Sequence, residues 1–104
     1  MWEDSKEMLK SFDLNMLEKT YPNICPICGV EEKHVFFYRF DDEDNDGGVW
    51  MWCSKCHSYT HAHVVIPSNW KNPDFISEEV LDDSVDYLET NKDKIDEWVN
   101  KLKL

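Results

Sequence analysis

Two cysteine pairs with the same internal spacing constrain the fold of this 104-residue chain more than any other feature. Cys25 and Cys28 form the first CxxC pair, and Cys53 and Cys56 form the second, with 24 residues between the pairs. A CxxC turn directs its two sulfurs toward one point, and two such turns supply the four thiolates that bind Zn2+ tetrahedrally at about 2.3 Å. The sequence therefore predicts one zinc ion bound by these four cysteines.

The number of ligands also indicates what the metal does. Four cysteines close the coordination sphere and leave no position for a reactive water, so we expect a structural ion rather than a hydrolytic one. Iron is the closest chemical alternative, because soft thiolate ligands accept both metals. A thioredoxin-type disulfide is disfavoured, because that motif begins a helix in a βαβ pattern that this sequence does not show.

The chain is short and strongly acidic. Its length predicts a single domain, and 22 acidic against 11 basic residues give a formal net charge of -11. Such a charge repels phosphate backbones and anionic lipids, which argues against direct binding to nucleic acids or membranes. The amino terminus does not resemble a signal peptide, and the longest aliphatic run is residues 64–66, so a cytoplasmic protein is expected.

The pattern of apolar residues predicts an α+β fold over residues 1–104. Residues 1–20 are expected to form an N-terminal helix, and residues 71–104 a C-terminal helical segment. Between them, residues 21–70 are expected to form a small three-stranded antiparallel zinc ribbon. The flanking helices would pack their apolar faces on this sheet.

Local signals place the elements within these segments. Asp4 and Glu7 are expected to form a capping box at the start of the N-terminal helix. Ser77 is expected to cap a C-terminal helix, which Thr90 and Asn91 would divide into two in an alternative interpretation. The predicted strands are residues 34–40, 49–52 and 58–66. The apolar positions of the C-terminal segment are Leu81, Val85, Leu88, Ile95, Val99 and Leu102.

A cluster of carboxylates, residues 41–46, lies between the first two predicted strands and is called the acidic turn. It matches the start of a calcium-binding EF-hand loop, but the twelfth position, which requires a bidentate glutamate, is Cys53. We therefore expect either a solvated turn ended by Gly47 and Gly48 or a docking surface for a basic partner.

A second group of acidic residues lies in the C-terminal segment. Glu79, Asp82, Asp83 and Asp86 are spaced to share one face of a helix. Like charges at this spacing destabilise a helix by about 0.2–0.5 kcal/mol per pair. A cost of this kind indicates a functional role for the acidic residues. The residues predicted to bind a partner are Asp41, Asp42, Glu43, Asp44, Asp46, Glu79, Asp82, Asp83 and Asp86.

The remaining chemistry-bearing residues do not indicate an enzyme. His57, His61 and His63 are expected to be polar positions on or beside a half-buried strand. A nuclease of the HNH type, which also often carries two CxxC pairs, would need another histidine downstream of His63, and the sequence has none. We recognise neither a nucleophile–base pair nor a phosphate-binding loop nor an open metal position.

The cysteine frame resembles the zinc-ribbon superfamily over residues 21–70. Residues 48–59, GVWMWCSKCHSY, followed by Pro67 and Trp70, are similar to small bacterial ribbon proteins associated with polymorphic toxin loci. This resemblance implies an immunity protein that binds and neutralises a cationic toxin, for example a nuclease. The sequence departs from many ribbons at His57, where they have glycine, and in its acidic 24-residue spacer.

Three classes of function are therefore considered. The first is a protein-binding module, whose acidic residues steer association with a basic partner. The second is a transcription-associated or nucleic-acid-linked ribbon, which would stack bases on aromatic side chains. The third is an enzyme or redox protein. The first is favoured, because one arginine and scattered lysines provide no basic groove. The candidate stacking residues are Phe36, Tyr38, Phe40, Trp50 and Trp52.

Overall fold

The computed structural model describes residues 2–13, 15–41, 43–81 and 85–102. Within them the chain forms an α+β structure with one four-stranded sheet, in the order β1-β4-β3-β2. In chain order, the elements are β1 (Glu3–Asp4), α1 (Lys6–Lys10), a 3-10 helix (Met16–Glu18), β2 (Lys33–Arg39), β3 (Asp46–Cys53), β4 (Ser58–Val65), a second 3-10 helix (Glu78–Val80), α2 (Asp86–Thr90) and α3 (Lys92–Leu102).

The sheet contains three antiparallel strands, as predicted, and one additional strand. β3 lies between β2 and β4 and is antiparallel to both. β1 extends the sheet beyond β4 and runs parallel to it, with Glu3 opposite Ser58. The sheet is therefore mixed rather than purely antiparallel. A strand of two residues is too short to show an alternating pattern, so nothing in the sequence indicates β1.

β3 begins earlier than the predicted strand 49–52, at Asp46. Gly47 and Gly48 therefore lie inside the strand and do not end the acidic turn. A Cβ atom on Gly47 would lie 2.3 Å from the carbonyl oxygen of Tyr38 on β2, and one on Gly48 would lie 3.0 Å from the ring of Trp50. The glycines permit these close approaches, and the connection between β2 and β3 is correspondingly shorter.

The N-terminal helix is much shorter than the predicted 1–20. α1 ends at Lys10, and Ser5 rather than Asp4 is its N-cap, accepting a hydrogen bond from the backbone N–H of Met8. Asp4 belongs to β1, where the following N–H, that of Ser5, donates to the carbonyl of Tyr59 at 2.8 Å. Pairing with β4 therefore displaces the helix start by one residue and removes the predicted capping box.

The C-terminal segment contains two α-helices, with the break at Asn91 that the alternative interpretation placed there. Ser77 precedes only the short second 3-10 helix and makes no capping hydrogen bond with its side chain. The apolar positions nevertheless face the core as expected. Val85, Leu88, Ile95 and Val99 are buried, and Leu81 and Leu102 are partly buried.

Helices and a loop cover the sheet. α1 contacts β3 and β4, whereas α3 contacts β2. Trp70, in the loop after β4, packs its ring edge-on against Phe36 and Phe37 with centroid distances of 5.5 and 5.4 Å. β2 and β3 are consequently buried along most of their length. Each large apolar side chain in this core contributes about 1.5–3 kcal/mol by leaving water.

Candidate metal centre

The four cysteines predicted to bind metal converge at the end of the sheet where β3 stops. The sulfur of Cys25 lies 3.7 Å from that of Cys56, and the sulfur of Cys28 lies 3.6 Å from that of Cys53. All four sulfurs lie within 4.8 Å of one another. A tetrahedron with metal–sulfur bonds of about 2.3 Å has edges of about 3.8 Å, so this cluster can coordinate one metal ion. A disulfide would need a separation of about 2.05 Å.

The first knuckle, residues 25–29, is closed by backbone hydrogen bonds. The N–H of Gly29 donates to the carbonyl of Cys25 at 3.0 Å, and the N–H of Ile27 donates to the Cys25 sulfur at 3.3 Å. Gly29 has a φ of +75°, the conformation for which glycine is suited.

The second knuckle, residues 53–57, repeats the same geometry. The N–H of His57 donates to the carbonyl of Cys53 at 3.0 Å, and the N–H of Lys55 donates to the Cys53 sulfur at 3.4 Å. His57 has a φ of +61°, although it is not glycine. The N–H of Ser54 donates to the carbonyl of Glu32 at 3.0 Å, which joins this knuckle to the segment that leaves the first.

The local environment gives the cysteine thiols different pKa values. Burial raises the pKa of Cys53 to about 12, although N–H groups of Cys56 and Lys55 oppose the shift. Burial also raises the pKa of Cys25. For Cys56 burial acts in the same direction, but hydrogen bonds from Ser58 and the neighbouring thiols outweigh it and lower the pKa to about 7. Of these three thiols, Cys56 is therefore the one most readily deprotonated near neutral pH, and binding by Cys53 requires release of a proton.

A buried lysine lies beside the cluster. Lys33 stands opposite Cys53 in the β2–β3 register, is buried, and donates from Nζ to Ser11 Oγ at 2.9 Å. Burial and the charge of Lys19 lower the pKa of Lys33, whereas the negative charge of Cys25 opposes the shift. A dication bound by four thiolates carries a net charge of -2, which would favour the charged lysine further.

A polar network that the sequence analysis did not identify connects the second knuckle to the C-terminal helices. The Nδ1 atom of His34 lies 2.9 Å from each carboxylate oxygen of Asp96, and its Nε2 lies 2.9 Å from Ser54 Oγ. Ser54 Oγ donates to Glu89 Oε1 at 2.6 Å, and the indole N–H of Trp52 donates to the same oxygen at 3.0 Å. Two features of the sequence could have indicated this network. His34 begins a strongly apolar predicted strand, and Asp96 lies next to Ile95 in the apolar stripe of the C-terminal segment.

The order Asp96, His34, Ser54 resembles the hydrogen-bond order of a serine hydrolase triad. In a triad the histidine accepts the hydroxyl proton of the serine. Here the hydroxyl of Ser54 donates to Glu89, so its proton is not directed at Nε2 of His34. His34 is 2% exposed. The arrangement joins β2, the second knuckle and α3.

The acidic turn is exposed and anchored by a single arginine. Arg39 donates from its guanidinium to carbonyl oxygens of Asp44, Pro67 and Trp70, at 2.6, 3.1 and 3.0 Å, and to the side chain of Asn45 at 2.8 Å. Its charge is therefore directed at backbone rather than at the carboxylates. Within the described ranges, no lysine or arginine side chain forms an ion pair with residues 41, 43 or 44. Asp46 contacts His63.

The structure does not gather all the predicted partner-binding residues into one surface. Asp42, Asp82 and Asp83 lie outside the described residues. Glu79 belongs to the second 3-10 helix and Asp86 to α2, and the extended backbone at Leu81 shows that they do not share one helix. The acidic turn lies at the start of β3 and the cysteine cluster lies at its end. The seven steps from Asp46 to Cys53, at about 3.3 Å each, place the two features about 23 Å apart. Asp86 lies toward the cysteine end, where it accepts a hydrogen bond from Trp2.

The aromatic side chains considered as base-stacking residues are mostly buried. Phe36, Trp50 and Trp52 are 0–3% exposed and belong to the core. Tyr38 is partly buried, and Phe40 is 51% exposed. Trp50 also stacks on His61 with a centroid distance of 4.1 Å. The stacking surface that a nucleic-acid-binding ribbon would require is therefore reduced to one half-exposed ring, that of Phe40, among these five residues.

Comparison with known proteins gives no significant match to a family model, a curated protein or a solved structure. Among the described residues, none of the helices combines the length and apolar composition needed to cross a lipid bilayer.

Proposed function

We propose that this chain is a cytoplasmic zinc-binding module that docks a basic protein partner through its acidic turn. The observation that carries this proposal is that the acidic turn exposes its carboxylates while its backbone is held in place by hydrogen bonds. Arg39 fixes the turn by hydrogen bonds to carbonyl oxygens, and the exposed carboxylates of Asp41, Glu43 and Asp44 form no ion pair with a described lysine or arginine. One oxygen of Asp41 accepts from the N–H of Glu43 at 3.0 Å and one of Asp44 from the N–H of Asn45 at 2.7 Å, which holds these two carboxylates in place. A preorganised charged surface binds with less loss of conformational entropy than a flexible one.

Zinc has a structural part in this proposal. The tetrahedral spacing of the sulfurs suits Zn2+, and four cysteine ligands leave no coordination position for a substrate. The thin core of a chain of this length gains stability from such an ion. The metal would hold one end of β3, and the acidic turn would present its charge at the other.

The most specific form of the proposal is an immunity protein that neutralises a cationic toxin, for example a nuclease. A nuclease binds phosphate through basic residues, and an acidic surface can occupy the same groove. The net charge of -11 and the anchored acidic turn support this form. The identification of the partner as a toxin rests on charge complementarity and on the resemblance to zinc ribbons described above.

The test is affinity capture of the tagged, zinc-loaded chain from a lysate of its own organism, with nuclease treatment, read by mass spectrometry. We expect one basic polypeptide that survives nuclease treatment and is released by salt. An Asp41→Lys/Asp44→Lys variant should lose at least about 90% of it, because rim charges set association with a basic surface. Purified partner would then be assayed for nuclease activity with and without the chain.

The matched control is a Glu7→Lys/Glu31→Lys variant, which makes the same change in net charge outside the acidic turn. It should retain most of the captured polypeptide. Equal loss in both variants would show that only net charge matters, and recovery of nucleic acid or transcription proteins alone would contradict a protein-binding function. Retained toxin activity in the complex would contradict the immunity role and leave the docking role standing.

A further inference from the structure

The second knuckle is connected to helix α2 at two separate places, once directly and once through Trp2. Between its cysteines, Ser54 Oγ donates to Glu89 Oε1 at 2.6 Å. After its second cysteine, the ring of His57 packs against Trp2 with a centroid distance of 4.6 Å, and the Trp2 indole N–H donates to Asp86 Oδ1 at 2.7 Å. Both ends of the five-residue helix α2 are therefore tied to the turn that carries Cys53 and Cys56.

Ser54 has three hydrogen-bonding neighbours through its single side-chain oxygen. Its hydroxyl donates to Glu89 at 2.6 Å, lies 2.9 Å from Nε2 of His34, and accepts from Nζ of Lys92 at 3.5 Å. His34 in turn contacts Asp96 on α3. One side-chain oxygen of the knuckle thus joins β2, α2 and α3.

These helices need such contacts to stay in place. α2 has five residues and α3 has eleven, and isolated helices of this length are marginal in water. His34 and Asp96 are buried, so the loss of a partner would leave polar atoms unsatisfied in the interior. If the knuckle opens, Ser54 moves away from both the histidine and Glu89.

We propose that Ser54 is the positioning residue through which metal binding at the cysteine cluster fixes α2 and α3 on the sheet. Metal occupancy would thereby regulate whether α2, which carries Asp86, is held against the sheet. This inference rests on the metal site of the proposed function and does not depend on which partner binds.

The experiment measures amide hydrogen exchange by mass spectrometry on the full chain loaded with Co2+, whose absorption reports tetrahedral thiolate ligation. In a Ser54→Ala variant with an unchanged cobalt spectrum, we expect exchange over residues 85–102 to accelerate about tenfold. Exchange in β3 and β4 should change by less than about twofold. A Ser54→Thr variant retains the hydroxyl and should restore protection, and Ser68→Ala makes a comparable change at an exposed serine.

A second comparison removes the metal with a chelator. Exchange over residues 85–102 should accelerate in the wild-type chain, and the Ser54→Ala substitution should add little further acceleration, because both changes break the same connection. Unchanged protection of the helices in metal-loaded Ser54→Ala would overturn the inference while leaving the metal site intact. Equal acceleration in the strands and helices of the metal-loaded Ser54→Ala variant would also overturn it. Absence of a thiolate–cobalt spectrum in the wild-type chain would instead contradict the metal site itself.

Discussion

His57 has the same left-handed backbone conformation as Gly29, at the equivalent position of the other cysteine knuckle. Their φ angles are +61° and +75°. The left-handed conformation costs a residue with a Cβ atom roughly 1–2 kcal/mol of stability, whereas it costs glycine nothing comparable. The surroundings of His57 hold it there: the N–H of Glu3 donates to its carbonyl at 2.9 Å, and its ring packs on Trp2. The knuckle geometry is therefore maintained at a residue that is not suited to it.

The first prediction compares His57→Gly with His57→Ala. Both variants lose the ring contact with Trp2, so their difference isolates the backbone. We expect the glycine variant to be more stable by about 1 kcal/mol, the reverse of the usual order, in which alanine exceeds glycine by about 0.5–1 kcal/mol. Urea denaturation with excess zinc measures both.

Lys55 provides the matched control for that comparison, because it belongs to the same knuckle and does not have a positive φ. Lys55→Ala should equal or exceed Lys55→Gly in stability. Gly29→Ala should lose about 1 kcal/mol, since an added Cβ atom meets nothing within 4 Å and only the backbone conformation opposes it. A His57→Ala variant more stable than His57→Gly would show that the positive φ carries no strain.

The second prediction concerns the metal. Cys28→Ser should remove the tetrathiolate site, and the melting temperature should fall by at least about 15 °C, because binding of a structural zinc supplies about 10–16 kcal/mol in small zinc domains. Calorimetry with and without a strong chelator measures the effect, and the chelator should not lower the variant further. Ile27→Ser is the control between the two cysteines, and its side chain is 42% exposed, so we expect a shift of only a few degrees. A wild-type melting temperature unaffected by the chelator would refute structural zinc.

The third prediction is that zinc affinity rises with pH around neutrality. The pKa of Cys56 is about 7 and that of Cys53 about 12, so deprotonation of Cys56 ceases to oppose binding as pH rises through 7, while Cys53 still releases its proton. Competition titrations at pH 6, 7 and 8 should show affinity increasing at each step. Calorimetry in buffers of different ionisation enthalpy should detect at least one proton released at pH 8. No proton release at that pH would mean that the sulfurs do not bind as thiolates.

The sequence was sufficient for those parts of the structure that depend on local spacing. The CxxC pairs predict convergence of four sulfurs, and the strand-like runs predict β2 to β4, although β3 begins at Asp46. The contacts of Ser54 with His34 and Glu89 join residues 20 and 35 positions apart, and His34 with Asp96 joins residues 62 apart. No local pattern encodes these contacts. The N-terminal helix was overestimated because the apolar positions of residues 8–17 suit one helix, whereas α1 ends at Lys10 and Met16 and Leu17 are buried from a separate 3-10 helix.

The acidic residues show the same limit of local reasoning. Glu79 and Asp86 have helical spacing in the sequence, but the second 3-10 helix ends at Val80 and the backbone becomes extended at Leu81. The described residues 41 and 43–45 of the acidic turn do lie in the connection between β2 and β3, but Asp46 belongs to β3 and the two glycines do not end the turn.

The last prediction uses the acidity of Glu89. Burial raises the pKa of this carboxyl, but hydrogen bonds from Ser54, Trp52 and Lys92 outweigh burial, so its pKa lies below the ordinary value of 4.5. A depressed pKa in the folded state stabilises the protein above the ordinary pKa, and this contribution is lost as pH falls through and below 4.5. Glu89→Gln should therefore lose about 1.5 kcal/mol at pH 7 and progressively less as the solution is acidified. Urea denaturation with excess zinc and metal occupancy checked at each pH measures the difference, and Glu97→Gln, at an exposed position on α3, should show a small difference at every pH. A gap between wild type and Glu89→Gln that stays constant down to pH 4 would show that the ionised carboxylate of Glu89 does not stabilise the junction with the second knuckle.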